Sequence, residues 1–99
     1  MLDLDKLMAT GLEVKILGKE ITVLEPTAKQ FKRIDKLQSE MTDENALEKR
    51  AEITKLILNN NAEGIKFTDE DIEKIPVKLQ VLIHTQMSGF VYKIVNDPN

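Results

Sequence analysis

Chemistry in a protein needs side chains that attack, move protons or hold metals, and this 99-residue chain carries few of them. It has one histidine, His84, and no cysteine. No His-x-x-x-His or Cys-x-x-Cys spacing exists, so a transition metal finds no ligand set. Ser39 and Ser88 are the only serines, and neither sits in a G-x-S-x-G setting. Gly11, Gly18, Gly64 and Gly89 stand apart, which leaves no glycine-rich phosphate loop. The run Asp69-Glu70-Asp71 lacks the alternating ligands and central glycine of a calcium loop. It reads instead as the first turn of a helix, where negative charge complements the dipole. Glu70, Asp71 and Glu73 are close enough in sequence to pair for acid–base work, but nothing in the pattern builds a pocket around them. The sequence therefore predicts a protein that is not an enzyme, with no catalytic residue, no cofactor and no metal.

Two surfaces remain as candidates for binding. One is a basic stripe, Lys29, Lys32, Arg33 and Lys36, which Lys15 and Lys19 could extend. Its functional reading is a contact for an acidic partner or a phosphate backbone. Its plainer reading is a solvated face with helix pairs such as Lys36 with Glu40. The plainer reading is preferred, because interleaved aromatics and a net basic balance are both missing. The other surface is a strip of Val77, Val81 and Tyr92 along the last helix, predicted here as partner-binding. His84 borders that helix's apolar arc and reads as a partly buried polar residue, with a pH switch as the sharper alternative.

The elements that position these residues can be read from the pattern. Residues 2–10 form either a short helix through Leu4, Leu7 and Met8 or a loose arm. Residues 12–24 read as a β-hairpin with a two-residue Gly18-Lys19 turn, in which Ile16 faces Ile21 and Val14 faces Val23. Leu12, Val14, Ile16, Ile21 and Val23 then share one face, with Glu13, Lys15, Glu20 and Thr22 on the other. Pro26 stops the second strand. Thr27 with Gln30 makes a capping box for a helix over 28–41, whose apolar stripe is Phe31, Ile34, Leu37 and Met41. A second helix spans 44–58 with Leu47, Ala51, Thr54 and Leu58 on one side. Asn59-Asn60-Asn61 ends it, since asparagine tolerates the left-handed conformation. Ile65 and Phe67 pin the following loop to the core. Thr68 caps a short third helix, Pro76 interrupts it, and a fourth helix runs over 76–95. There Leu79, Ile83, Met87, Phe90, Val91 and Ile94 make the main apolar face. The combined apolar arc exceeds half the circumference, so this helix either runs through the middle of the fold or meets another chain.

The fold class that follows is α+β and mostly helical: an N-terminal two-stranded antiparallel hairpin (12–24), then a three- to four-helix bundle (27–95). Residues 1–99 form a single domain. The formal net charge of −3 argues against nonspecific nucleic-acid binding. MLDLDKLMATG lacks the basic and apolar regions of a signal peptide. No apolar run approaches the roughly 20 residues of a membrane span.

The order of elements carries a resemblance. VKILGKEITVLEPTAKQFKRIDKL resembles the opening of small phage tail assembly chaperones of long-tailed, non-contractile phages or prophages, where a strand-G-K-E-strand hairpin leads through a Leu/Pro/Thr step into the first helix. ITKLILNNNAEGIKFTDEDIEKIPVKLQVLIHTQMSGFVYKIV is similar to that family's later part. There a helix ends in a polar loop, an acidic T-x-E/D-x-I/L turn reaches a Leu/Ile-Pro step, and a long apolar helix follows. The resemblance covers residues 12–95, through arrangement rather than invariant side chains. It implies a protein that coats the tape measure protein before the tail tube polymerises. Such a protein self-associates as a homo-oligomer, acts in the cytoplasm of the bacterial host, and is absent from the mature virion. A longer frameshifted form would reach the tail tube protein, and the present chain resembles the short form. The rival readings are a structural head-tail or tail component and a small nucleic-acid-binding regulator.

Overall fold

The computed structural model describes residues 1–5 and 11–96, with side chains through Met87. Strands β1 (Gly11–Ile16) and β2 (Lys19–Leu24) form a two-stranded antiparallel sheet. Four helices follow among the described residues: α1 (Ala28–Ser39), α2 (Ala46–Asn59), α3 (Asp69–Glu73) and α4 (Val77–Asn96). This is the α+β order expected from the sequence. Residues 6–10, which include Leu7 and Met8 of the expected N-terminal segment, lie outside the described residues.

The hairpin turn corrects the sequence reading. Its loop is Leu17-Gly18, so Ile16 faces Lys19, Val14 faces Ile21 and Leu12 faces Val23. Leu17 and Gly18 have φ of 51° and 75°, the positive pair of a type I′ turn, whose twist matches that of the strands. A left-handed Leu17 costs roughly 1–2 kcal/mol. Moving the loop by one residue shifts each facing partner by two, so every side chain keeps its face. The apolar alternation is thus the same for both loops and could not choose between them.

The capping box of α1 forms as expected. Thr27 N–H donates to Gln30 Oε1 at 2.8 Å, and Gln30 N–H donates to Thr27 Oγ1 at 3.2 Å. Ile34 and Leu37 are buried, but Phe31 is 48% exposed. At about 100° per residue Phe31 stands some 120° from Leu37, on the edge of the stripe rather than within it. Before α2, Thr42 and Asn45 exchange hydrogen bonds, and the helix starts at Ala46, two residues later than expected.

α2 is the central element. It packs against α1, α3, α4 and β2, and Ile53, Thr54, Ile57 and Leu58 are buried along it. Its end differs from the expected left-handed stop, since Asn60 has φ −91° and ψ 70°. The three asparagine side chains close the helix instead. Asn59 bonds both backbone groups of Phe67. Asn60 Nδ2 donates to Leu24 O at 3.1 Å. Asn61 Nδ2 donates to the carbonyls of Leu58 and Ile65, both at 2.7 Å, while its Oδ1 accepts from Ile65 N–H at 2.9 Å. Phe67, 1% exposed, is locked into the core by this clamp, with Lys19 Nζ 5.2 Å above its ring centroid.

The start of α4 departs further from expectation. The side facing the core is Gln80, Ile83, His84 and Met87, while Leu79 is exposed. The cause is Pro76. Breaking the chain there leaves the Ile75 carbonyl without a backbone donor, while Ile72 O keeps the Ile75 N–H at 3.0 Å. Gln80 Nε2 donates to Ile75 O at 2.9 Å and to Ile72 O at 3.4 Å, and its Oε1 accepts from Thr54 Oγ1 at 3.5 Å. Rotating Gln80 inward satisfies buried polar groups and carries Leu79, one residue earlier, to the outside.

Candidate functional site

The residues singled out for chemistry settle into structural roles. Asp71 accepts from Thr68 N–H at 2.9 Å in a second capping box, and Asp71 N–H donates to Thr68 Oγ1. The Thr68 N–H bond holds the Asp71 carboxyl below its ordinary range. Asp69 pairs with Lys55 Nζ at 2.8 Å. Among the described residues the expected Lys36–Glu40 pair does not form. Lys29, Lys32, Arg33 and Lys36 are exposed. Among the described residues no group of three or more His, Cys, Asp or Glu side chains could hold a metal ion.

His84 is half-buried, and its Nδ1 lies 2.7 Å from Arg50 Nη1. An arginine can only donate, so Nδ1 accepts and the ring is neutral, with its proton on Nε2. Burial, then the Arg50 charge, pushes the His84 pKa down. The ring borders a groove between α1 and α4 that Phe31, Ile34, Ile57 and Met87 also line.

An apolar opening lies at the start of α2. There Leu47, Ala51, Ile72, Ile75 and Val77 line a cleft of about 590 Å³. Leu47 sits on the azimuth of the buried Thr54 and Leu58 of α2 but is 68% exposed, at the open mouth of this cleft. Val77 is 48% exposed across from it, and Val81, one turn further along α4, is 41% exposed. Tyr92, the third residue predicted for partner binding, lies outside the described side chains. Among the described residues the charged side chains that line the cleft are all acidic: Glu48, Glu52, Asp69 and Glu73. An apolar floor with a carboxylate rim suits an amphipathic helix that offers apolar anchors flanked by Lys or Arg.

Sequence reasoning placed Val77 on a partner-binding strip but missed Leu47, which it placed on one side of the second helix with Ala51, Thr54 and Leu58. A helix start with nothing predicted to pack above it was the available signal. Gln80 was missed as well, and Thr54 gave no signal of it, since its hydroxyl donates to Arg50 O one turn back at 2.9 Å.

Comparison of the chain with protein-family models, with curated proteins and with solved structures finds no match. None of the described helices is long and apolar enough to cross a membrane.

Proposed function

We propose that this chain is a non-enzymatic tail assembly chaperone of a long-tailed, non-contractile phage or prophage. It binds the tape measure protein in the host cytoplasm, keeps it soluble until the tube polymerises around it, and works by self-association and client binding. The single observation that carries the reading is the acid-rimmed apolar cleft between the starts of α2 and α4, lined by Leu47 and Val77. A long helical client presents apolar side chains that aggregate when bare. A cleft with a few apolar anchors and a polar rim covers such side chains one segment at a time, without requiring a unique sequence. The acidic rim selects client segments with Lys or Arg beside the apolar anchors. The net charge of −3 helps many copies stay dispersed along one client. The resemblance over residues 12–95 supplies the client's class.

The test is co-expression with the tape measure protein encoded in the same gene neighbourhood, followed by co-purification and light scattering. The expected result is a soluble complex with a client that is insoluble alone. A client that stays insoluble in the presence of this chain overturns the reading.

A further inference from the structure

The sheet has two edges, and the chain treats them differently. The outer edge of β2 is closed. Leu24 N–H donates to Asn60 O at 2.8 Å, and Ala62 N–H donates to Thr22 O at 3.0 Å. Thr22 N–H donates to Glu63 Oε1 at 2.7 Å, and the Thr22 hydroxyl donates to Glu63 Oε2 at 3.0 Å. Thr22 and Leu24 therefore turn their backbone groups away from β1. In an antiparallel ladder facing residues turn the same way, both inward or both outward. Glu13 and Gly11, which face Thr22 and Leu24, must point their N–H and C=O groups to the opposite edge, as must Lys15 two residues on. Among the described residues no other strand or loop pairs with that edge. It also lies away from the helices, since β2 is the strand that packs on α2.

We propose that the β1 edge pairs antiparallel with β1 of a second copy of this chain, about a two-fold axis through Val14. The side chains select both the occupant and the register. Only registers that bring odd-numbered residues opposite one another join the outward backbone groups. Centring on Val14 sets Glu13 opposite Lys15 of the second copy, and Lys15 opposite its Glu13. Sliding the pair one step either way sets Glu13 against Glu13 or Lys15 against Lys15, and like charges directly opposite are destabilising. Lys15 already faces Glu20 within the hairpin, so each lysine would stand between two carboxylates. On the other face Leu12 meets Ile16 of the second copy and Val14 meets Val14. All three are only half-buried in the single chain. The result is a four-stranded sheet with one continuous apolar face, which relieves the marginal stability of a two-stranded one. Charged side chains on an edge ordinarily discourage pairing; here their order discourages the two registers next to the one proposed. The pairing is argued from strand geometry and gives the self-association of the chaperone reading an interface; the client assay can succeed or fail independently of it.

Sedimentation of the full chain, up to on the order of 1 mM, tests it, with melting curves to show that each variant is folded. The wild type should dimerise with rising concentration, and the Glu13 and Lys15 amide protons should exchange more slowly as it does. E13K alone and K15E alone should each weaken the dimer by about tenfold or more, because both turn two attractive pairs into repulsive ones. An equimolar mixture of the two variants should restore dimers. In the mixed pair the lysine introduced at position 13 meets the glutamate introduced at position 15, and the native Lys15 meets the native Glu13. A wild type that stays monomeric overturns the proposal. So does a dimer indifferent to the single reversals, or a mixture of folded variants that fails to associate.

Discussion

The two ends of α2 are built on opposite plans. At its C-terminal end every asparagine side chain is bonded to backbone, and the segment 60–63 is stitched to β2. At its N-terminal end the apolar Leu47 and Val77 remain open to solvent beneath an acidic rim. One end converts polar side chains into interior structure; the other leaves apolar side chains as surface. A small domain gains little from exposed leucine and valine, so the open end is the one whose features folding does not explain. If the contrast is real, substitutions should be felt strongly at the sealed end and hardly at all, in stability, at the open one.

The largest effect is expected at Asn61. Asn61→Ala removes three hydrogen bonds and strands the carbonyls of Leu58 and Ile65. It should destabilise the fold by about 2–4 kcal/mol in urea titration, given about 1 kcal/mol per lost bond plus unsatisfied buried groups. A loss below about 0.5 kcal/mol, the usual range of surface changes, would dissolve the contrast. Gln80 comes next. Gln80→Ala should cost about 1–3 kcal/mol, because Ile75 O loses its side-chain donor. Leu79→Ala, one residue earlier and exposed, should cost clearly less. If Leu79 proves the more expensive, α4 faces the core with the side first expected from its apolar pattern.

That rotation marks where the sequence stops being legible. Elements set by local chemistry could be read directly: the Thr27–Gln30 capping box, the Thr68 cap, the Pro76 break and the faces of the hairpin strands all follow from near neighbours in the chain. The choice between a Gly18-Lys19 and a Leu17-Gly18 loop could not be read, since both keep every side chain on its face. The phase of α4 depends on the Ile75 carbonyl, which takes its donor from the Gln80 side chain, a demand no periodicity records. The candidate site was half legible for the same reason. Val77 lies on an unusually wide apolar arc, visible in sequence. The exposure of Leu47 depends on how far neighbouring elements reach, and only the packed structure fixes that.

A smaller effect is expected at His84, which touches Arg50 of α2 between the two ends. Its folded pKa lies below the ordinary value near 6.5, so the unfolded chain binds more protons as pH falls through that value. Stability should be fully present above about pH 6.5 and decline as pH drops below it. Glu63 and Asp71 have pKa values held below 4.5 and 3.8, so a comparison of pH 7.5 with pH 5.5 isolates the histidine. Thermal melts should show a lower Tm at pH 5.5 for the wild type and a much smaller drop for His84→Gln, whose amide oxygen can still accept from Arg50. An equal drop in both proteins would assign the pH dependence to other groups.

The smallest effect on stability is expected where the largest effect on binding lies. Leu47→Ser combined with Val77→Ser removes apolar area that solvent already reaches, so the fold should change by no more than about 0.5 kcal/mol. Recovery of soluble client in co-expression should nonetheless fall sharply, because these side chains are the anchors of the cleft. Reversing its rim with Glu48→Lys and Glu73→Lys separates charge from apolar contact. Client recovery should fall here too, and the fall should be steeper at low salt, where like charges repel over a longer range. A double serine variant that melts far below the wild type would make Leu47 and Val77 part of the interior after all. The two ends of α2 would then differ only in how completely they are covered.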